Sequence, residues 1–157
     1  PPGSGLLYLD KSISEDIWPT LSSYNWDNKE DKGFSLQQSG TGNPSLRVGL
    51  EASIDFFNMI GKERWLGRVK ELGKYLRDGL KELPNVEIVS SHNEELCAGL
   101  TTYKVEGLTG PALQKTLWDR ERLQPRSVGK DLMRHSVHIY NQKSEIDKTF
   151  DIINSLT

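Results

Sequence analysis

The chain has 157 residues, with 20 Lys+Arg against 22 Asp+Glu and a formal charge of −2. That length fits one domain of ordinary size. The charge balance excludes a strongly basic nucleic-acid arm, and no apolar run approaches the roughly 20 residues that a bilayer requires. A single cysteine, Cys97, excludes an intrachain disulfide framework and a Cys-rich zinc site, and suits a reduced, soluble, cytoplasmic protein.

The first residues, Pro1-Pro2-Gly3-Ser4-Gly5, carry neither an initiator Met nor a signal-peptide pattern. They read as the start of a piece cut from something longer. The hydrophobic fraction of 35% is low for a domain that stands alone, so part of the surface is expected to meet a partner.

Leu6-Leu7-Tyr8-Leu9 is a continuous apolar run that suits a strand buried on both faces. Residues 11–43 lack periodicity and read as a long solvated loop, with a mixed charge cluster at Lys29-Glu30-Asp31-Lys32. Asn43-Pro44 opens a helix, Asn43 as N-cap and Pro44 at the first position, with Leu46, Leu50, Ile54, Phe57 and Ile60 at helical spacing. Gly61 stops it. A second helix from Lys62 carries Trp65, Val69, Leu72, Leu76, Leu80 and Leu83 inward and ends at Pro84.

Val86–Val89 and Leu96–Val105 are strand candidates. After a turn at Gly107–Gly110, a helix over Pro111–Glu121 points Leu113, Leu117 and Trp118 inward. Leu132–Tyr140 is the clearest strand: Met133, His135, Val137 and Ile139 face one way, and Arg134, Ser136, His138 and Tyr140 the other. Ser144 caps a last helix, with Asp147 as its capping-box partner and Ile146, Phe150, Ile153 and Leu156 inward. The order predicts an α+β module, a small antiparallel or mixed sheet covered by helices on one side. No internal repeat is visible.

Candidate chemistry is sparse. His92 lies in a polar loop. His135 and His138 are three apart on a strand and therefore face opposite sides, which argues against a shared metal. Ser136 and His138 share a face, but no carboxylate completes a triad. Cys97 stands at the start of a strand beside acids, which raise a thiol pKa, and reads as a buried structural residue. Ser39-Gly40-Thr41-Gly42-Asn43-Pro44 places glycines and a hydroxyl at a helix start, where free N–H groups favour an anion; the bland alternative is a loop ending in an N-cap. Arg134 stands among polar neighbours on one strand face, a setting for carboxylate capture or for a plain surface ion pair.

Together these pieces resemble the class V aminotransferases, pyridoxal-phosphate enzymes of fold type I. Pro1-Pro2-Gly3-Ser4-Gly5-Leu6-Leu7-Tyr8 resembles the stretch just after the family's cofactor lysine. Gly40-Thr41 before Asn43-Pro44 is similar to its Gly-Thr turn. Gly61-Lys62-Glu63, with the helix ending Leu83-Pro84-Asn85-Val86, is similar to its small-domain entry. Arg134-His135-Ser136-Val137-His138-Ile139-Tyr140-Asn141, followed by Glu145-Ile146-Asp147, resembles its closing signature.

The resemblance implies a homodimeric enzyme with pyridoxal phosphate as cofactor and an amino acid as substrate. Residues 1–40 would be the tail of the large cofactor-binding domain, and 41–157 the linking helix and small C-terminal domain. Gly40 and Thr41 would contact the cofactor phosphate, and Arg134 would hold the substrate α-carboxylate. The Schiff-base lysine would precede Pro1; no lysine here, Lys11 included, matches its position, so the chain alone is expected to be inactive. Residues 126–132 contain no cysteine where cysteine desulfurases of this family carry a catalytic one, which favours transaminase or epimerase chemistry over desulfuration. The alternatives are a non-catalytic binding or assembly module with the same small-domain fold, a lyase fragment, and a regulatory domain that binds an amino acid through Arg134. The apolar Leu6–Leu9 run, which a module evolved to stand alone would tend to lose, favours the enzyme piece.

Overall fold

The computed structural model describes residues 3–156 and divides into two compact units, Pro1–Met59 and Ile60–Thr157. Pro1 and Pro2, the first residues of the family-like opening stretch, lie outside the described residues.

The first unit carries three helices. Helix α1 (Lys11–Ser14) starts where the Asp10 carboxylate accepts from the Ser12 N–H at 2.9 Å. Helix α2 (Lys32–Gln37) starts where Asp31 accepts from the Phe34 N–H at 2.8 Å. The charge cluster read as plain loop is thus partly a cap: Asn28 accepts from Glu30 and Asp31, and this turn presents Asp31 to the helix. Helix α3 (Pro44–Ile60) opens as expected, with Asn43 accepting from the Ser45 N–H at 3.0 Å. None of its residues is fully buried: Leu46, Leu50, Phe57 and Ile60 are half-buried and Ile54 is exposed.

The expected strand at Leu6–Leu9 does not form. Leu6, Leu7 and Tyr8 are each at least 80% exposed. A strand is defined by its neighbour, and no other segment among the described residues pairs with this one.

The second unit is an α+β module. Helix α4 (Lys62–Lys81) is followed by β1 (Val86–Ile88), a 3-10 turn at Glu94–Leu96, and β2 (Leu100–Val105). Helix α5 (Gly110–Glu121), β3 (Arg126–Val128), β4 (Leu132–Ser136) and α6 (Lys143–Asn154) complete it. All four strands are antiparallel, in the order β1-β2-β4-β3. Thr101, Tyr103 and Val105 of β2 and Met133 of β4 are buried on the face that α4, α5 and α6 cover, whereas Leu100, Thr102 and Lys104 point to the open face.

Leu72, Leu76 and Leu80 of α4 are wholly buried against Tyr103, Met133, Leu117 and Ile153. This is the predicted stripe, and each such leucine contributes about 1.5–3 kcal/mol by leaving water. Tyr75 of α4 donates its hydroxyl to the Asp147 carboxylate of α6 at 2.6 Å. Asp147 is therefore not a capping residue. The capping box is instead made two residues earlier, between Gln142 and Glu145, so Ser144 is not the N-cap.

Other expectations shift at element ends. Trp118 is 43% exposed rather than inward, with Arg122 over its ring at 5.3 Å, so its indole lies at the rim of the core. Cys97 follows the 3-10 turn and precedes β2, and its buried thiol donates to the Ser91 carbonyl. Strand β4 stops at Ser136 rather than Tyr140. The chain turns there because Asn141 accepts from the His138 N–H at 2.9 Å and donates its own N–H to the His138 carbonyl at 3.0 Å. Residues 126–128, which carried no element in the sequence reading, form an edge strand: Val128 pairs with Leu132 across a three-residue connection whose first residue, Gly129, has φ +60°, a left-handed conformation that glycine enters without a Cβ penalty. No helix among the described residues is long and apolar enough to cross a membrane.

Candidate functional site

The predicted site residues fall in different units. Gly40 and Thr41 belong to the first and Arg134 to the second.

The Gly40-Thr41-Gly42 turn leads directly into the capped start of α3. Gly40 has φ +122°, a conformation that a Cβ would strain, and nothing stands within 4 Å of the Cβ position at Gly40 or Gly42. Among the described residues, the Thr41 N–H and hydroxyl make no hydrogen bond, while Asn43 satisfies one orphan donor of α3. The turn thus offers open donors at a helix N-terminus, the donor set an anionic group such as a phosphate requires.

In the second unit, Arg134 lies on β4 with Thr102 of β2 as one register partner and Arg126 of β3 as the other. It points to the open face. Its Nε is shut off from solvent and has no hydrogen-bond acceptor. A cavity of about 530 Å³ opens beside it, where the segment from Arg122 to Pro125 feeds β3. Both faces of the end of β4 line this cavity, Arg134 and Ser136 from one and His135 and Val137 from the other, together with Ile146 and Thr149 of α6. A buried guanidinium nitrogen without an acceptor is costly in isolation and fits an anion arriving in the cavity.

His135 is the second unusual group. Both ring nitrogens are buried without a partner, and the ring stacks on Tyr103 with centroids 5.7 Å apart. Burial pushes its pKa down to about 4, so it is neutral near pH 7, and burial likewise pushes the Tyr103 phenol up. His138 lies beyond the strand and meets Trp65 edge-on at 5.0 Å, so Ser136 and His138 do not form the shared strand face read from the alternation. Among the described residues no group of three His, Cys, Asp or Glu side chains could hold a metal.

Arg126 was missed by sequence reasoning. Its strand is only three residues long, but a signal exists: Pro125 before it, Gly129 after it, and Leu132 resuming alternation on the far side.

A four-stranded antiparallel sheet under three helices, with an arginine on its open face, has the architecture of the small domain of fold type I pyridoxal-phosphate enzymes. The aminotransferase class-V family profile matches residues 1–149, and the chain belongs to this family. Isopenicillin N epimerase of Amycolatopsis lactamdurans is 26% identical, over 81% of this chain and 33% of its own length. A cysteine desulfurase of Haloferax volcanii is 24% identical, over 99% of this chain and 40% of its own length. The cystine C-S lyase C-DES, solved with its product cysteine persulfide, superposes with a TM-score of 0.78 at 19% identity, over 94% of this chain and 41% of its own; a variant of it carries glycine covalently linked to the PLP cofactor. This chain spans about a third to two-fifths of the length of the relatives it matches.

Proposed function

We propose that this chain is the small-domain part of a pyridoxal-phosphate enzyme that acts on an amino acid by transamination or epimerisation. The observation that carries the reading is Arg134, with its Nε buried and unanswered beside an open cavity. Pyridoxal phosphate, when bound, supplies an electron sink that acidifies the substrate α-carbon. The residues of this chain bind and orient. Arg134 holds the α-carboxylate in bidentate fashion, which fixes the direction of the α-carbon bonds. The Gly40-Thr41-Gly42 donors hold one side of the cofactor phosphate.

Residues 1–40 act as the tail of the cofactor domain and 41–157 as the linking helix and small domain, within a cytoplasmic homodimer. No lysine of this chain falls at the motif position of the Schiff-base lysine, so the chain by itself is read as inactive. Desulfuration is the weaker reading, for two reasons. Residues 126–132 hold no thiol, and the Cys97 thiol is buried and donates to a carbonyl.

The test is Arg134→Lys in the complete enzyme that carries this segment. A lysine keeps the charge and loses the fork, so kcat/KM should fall by roughly 2–5 kcal/mol in transition-state terms. Unchanged kcat and KM would make Arg134 a surface residue and remove the reading's main support.

A further inference from the structure

The cavity beside Arg134 holds more positive charge than one carboxylate answers. Arg126 and Arg134 are direct register partners in the β3–β4 ribbon, so their side chains leave the same face at neighbouring positions. Like charges opposite each other on an antiparallel pair are destabilising. Nothing in the chain relieves them: among the described residues neither arginine enters an ion pair. The one acid lining the cavity, Glu145, is already engaged, accepting from the Gln142 N–H at 2.9 Å and the Asn141 amide at 3.1 Å. Cross-strand partners stand about 4.5–5.5 Å apart at Cα, which places two forks within reach of one small ligand. A single carboxylate fills one fork in bidentate geometry and leaves the other surplus.

We propose that Arg126 is a specificity-determining residue that takes a second carboxylate, so that the substrate is a dicarboxylic amino acid. This rests on the reading of Arg134 as the α-carboxylate clamp. Arg134 fixes the end of the molecule that reacts, and Arg126 selects the side chain. The neutral His135 on the other side of β4 adds no competing charge to the cavity.

The test is an NMR titration of the full 157-residue chain, following the arginine Nε–Hε signals, with acetate and with glutarate at equal ionic strength. Glutarate should bind at least about tenfold more tightly than acetate and shift both Arg126 and Arg134. Arg126→Gln, an exposed position, should bring glutarate to within about twofold of acetate and leave acetate binding unchanged. Equal affinities in the unmodified chain, with Arg134 still shifting, would overturn the role of Arg126 and leave the clamp standing. No shift of Arg134 with either ligand would overturn the clamp and this inference with it. Tighter binding of inorganic phosphate than of glutarate would overturn the dicarboxylate assignment.

Discussion

His135 shows how one residue sets a pH dependence. Its unfolded pKa is about 6.5, and in the fold, burial holds it near 4. Between those values the unfolded chain binds a proton that the folded chain refuses. Stability therefore falls as pH drops through this window, by at most about 1.4 kcal/mol per unit, and levels off below it. Glu71, Glu94 and Glu145 also have depressed pKa values and act with the same sign, but only below their ordinary value of 4.5. The range from pH 6.5 to 5 thus lies above the window in which these carboxylates act, and the His135 variant reads that residue's share of it. Urea unfolding at pH 7 and pH 5 should give a lower midpoint at pH 5, and His135→Gln should shrink that difference. An equal difference in the variant would mean that the imidazole is not kept neutral by burial.

At the scale of the element, two of the three glycines in α4 predict opposite signs. A Cβ on Gly73 would come within 2.1 Å of the Ala98 carbonyl oxygen, which also accepts from the Arg77 guanidinium at 3.1 Å. Gly67 has nothing within 4 Å of its Cβ position. Alanine gains about 1 kcal/mol of helix propensity at either site. At Gly73 that gain is outweighed by overpacking against backbone, at about 1–3 kcal/mol or more. Gly73→Ala should lower the thermal midpoint and Gly67→Ala should raise it. A rise in both would mean that α4 does not approach the 98–99 segment as closely as described.

The same helix also marks what was legible beforehand. Its stripe of Val69, Leu72, Leu76 and Leu80 was readable because a long period-3.6 pattern has one reading. The C-terminal end of β4 and the cap of α6 were not. Both turn on Asn141 and Glu145, whose side chains reach backbone groups that pattern reasoning does not see. Edge strand β3 was missed because three residues carry no period. The Leu6–Leu9 strand was expected from composition, yet a strand requires a neighbour that composition does not supply. At the candidate site, Arg134 was singled out through its motif. Its partner Arg126 became visible only once register placed the two side by side.

For the whole molecule, the distribution of burial divides the chain unequally. Every fully buried apolar side chain among the described residues, from Val69 to Ile153, belongs to the second unit. Among the described residues of the first unit Ser35 alone is buried, while Trp18, Leu21, Tyr24, Val48 and Met59 stand exposed. Local opening costs little where few apolar contacts must be broken. Trp18 and Trp26, with centroids 5.6 Å apart and Lys32 over the Trp18 ring, are a local cluster and not a core. Hydrogen exchange of the chain should therefore divide near residue 60. Amides of α4, β2, β4 and α6 should exchange at rates set by global unfolding, and those of α1, α2 and α3 much faster. Protection of α3 equal to that of α4 would mean that its apolar residues are covered in solution. If α3 instead exchanges fast in this chain and slowly in a longer chain that contains it, Val48, Phe56 and Met59 are covered there by protein outside this segment.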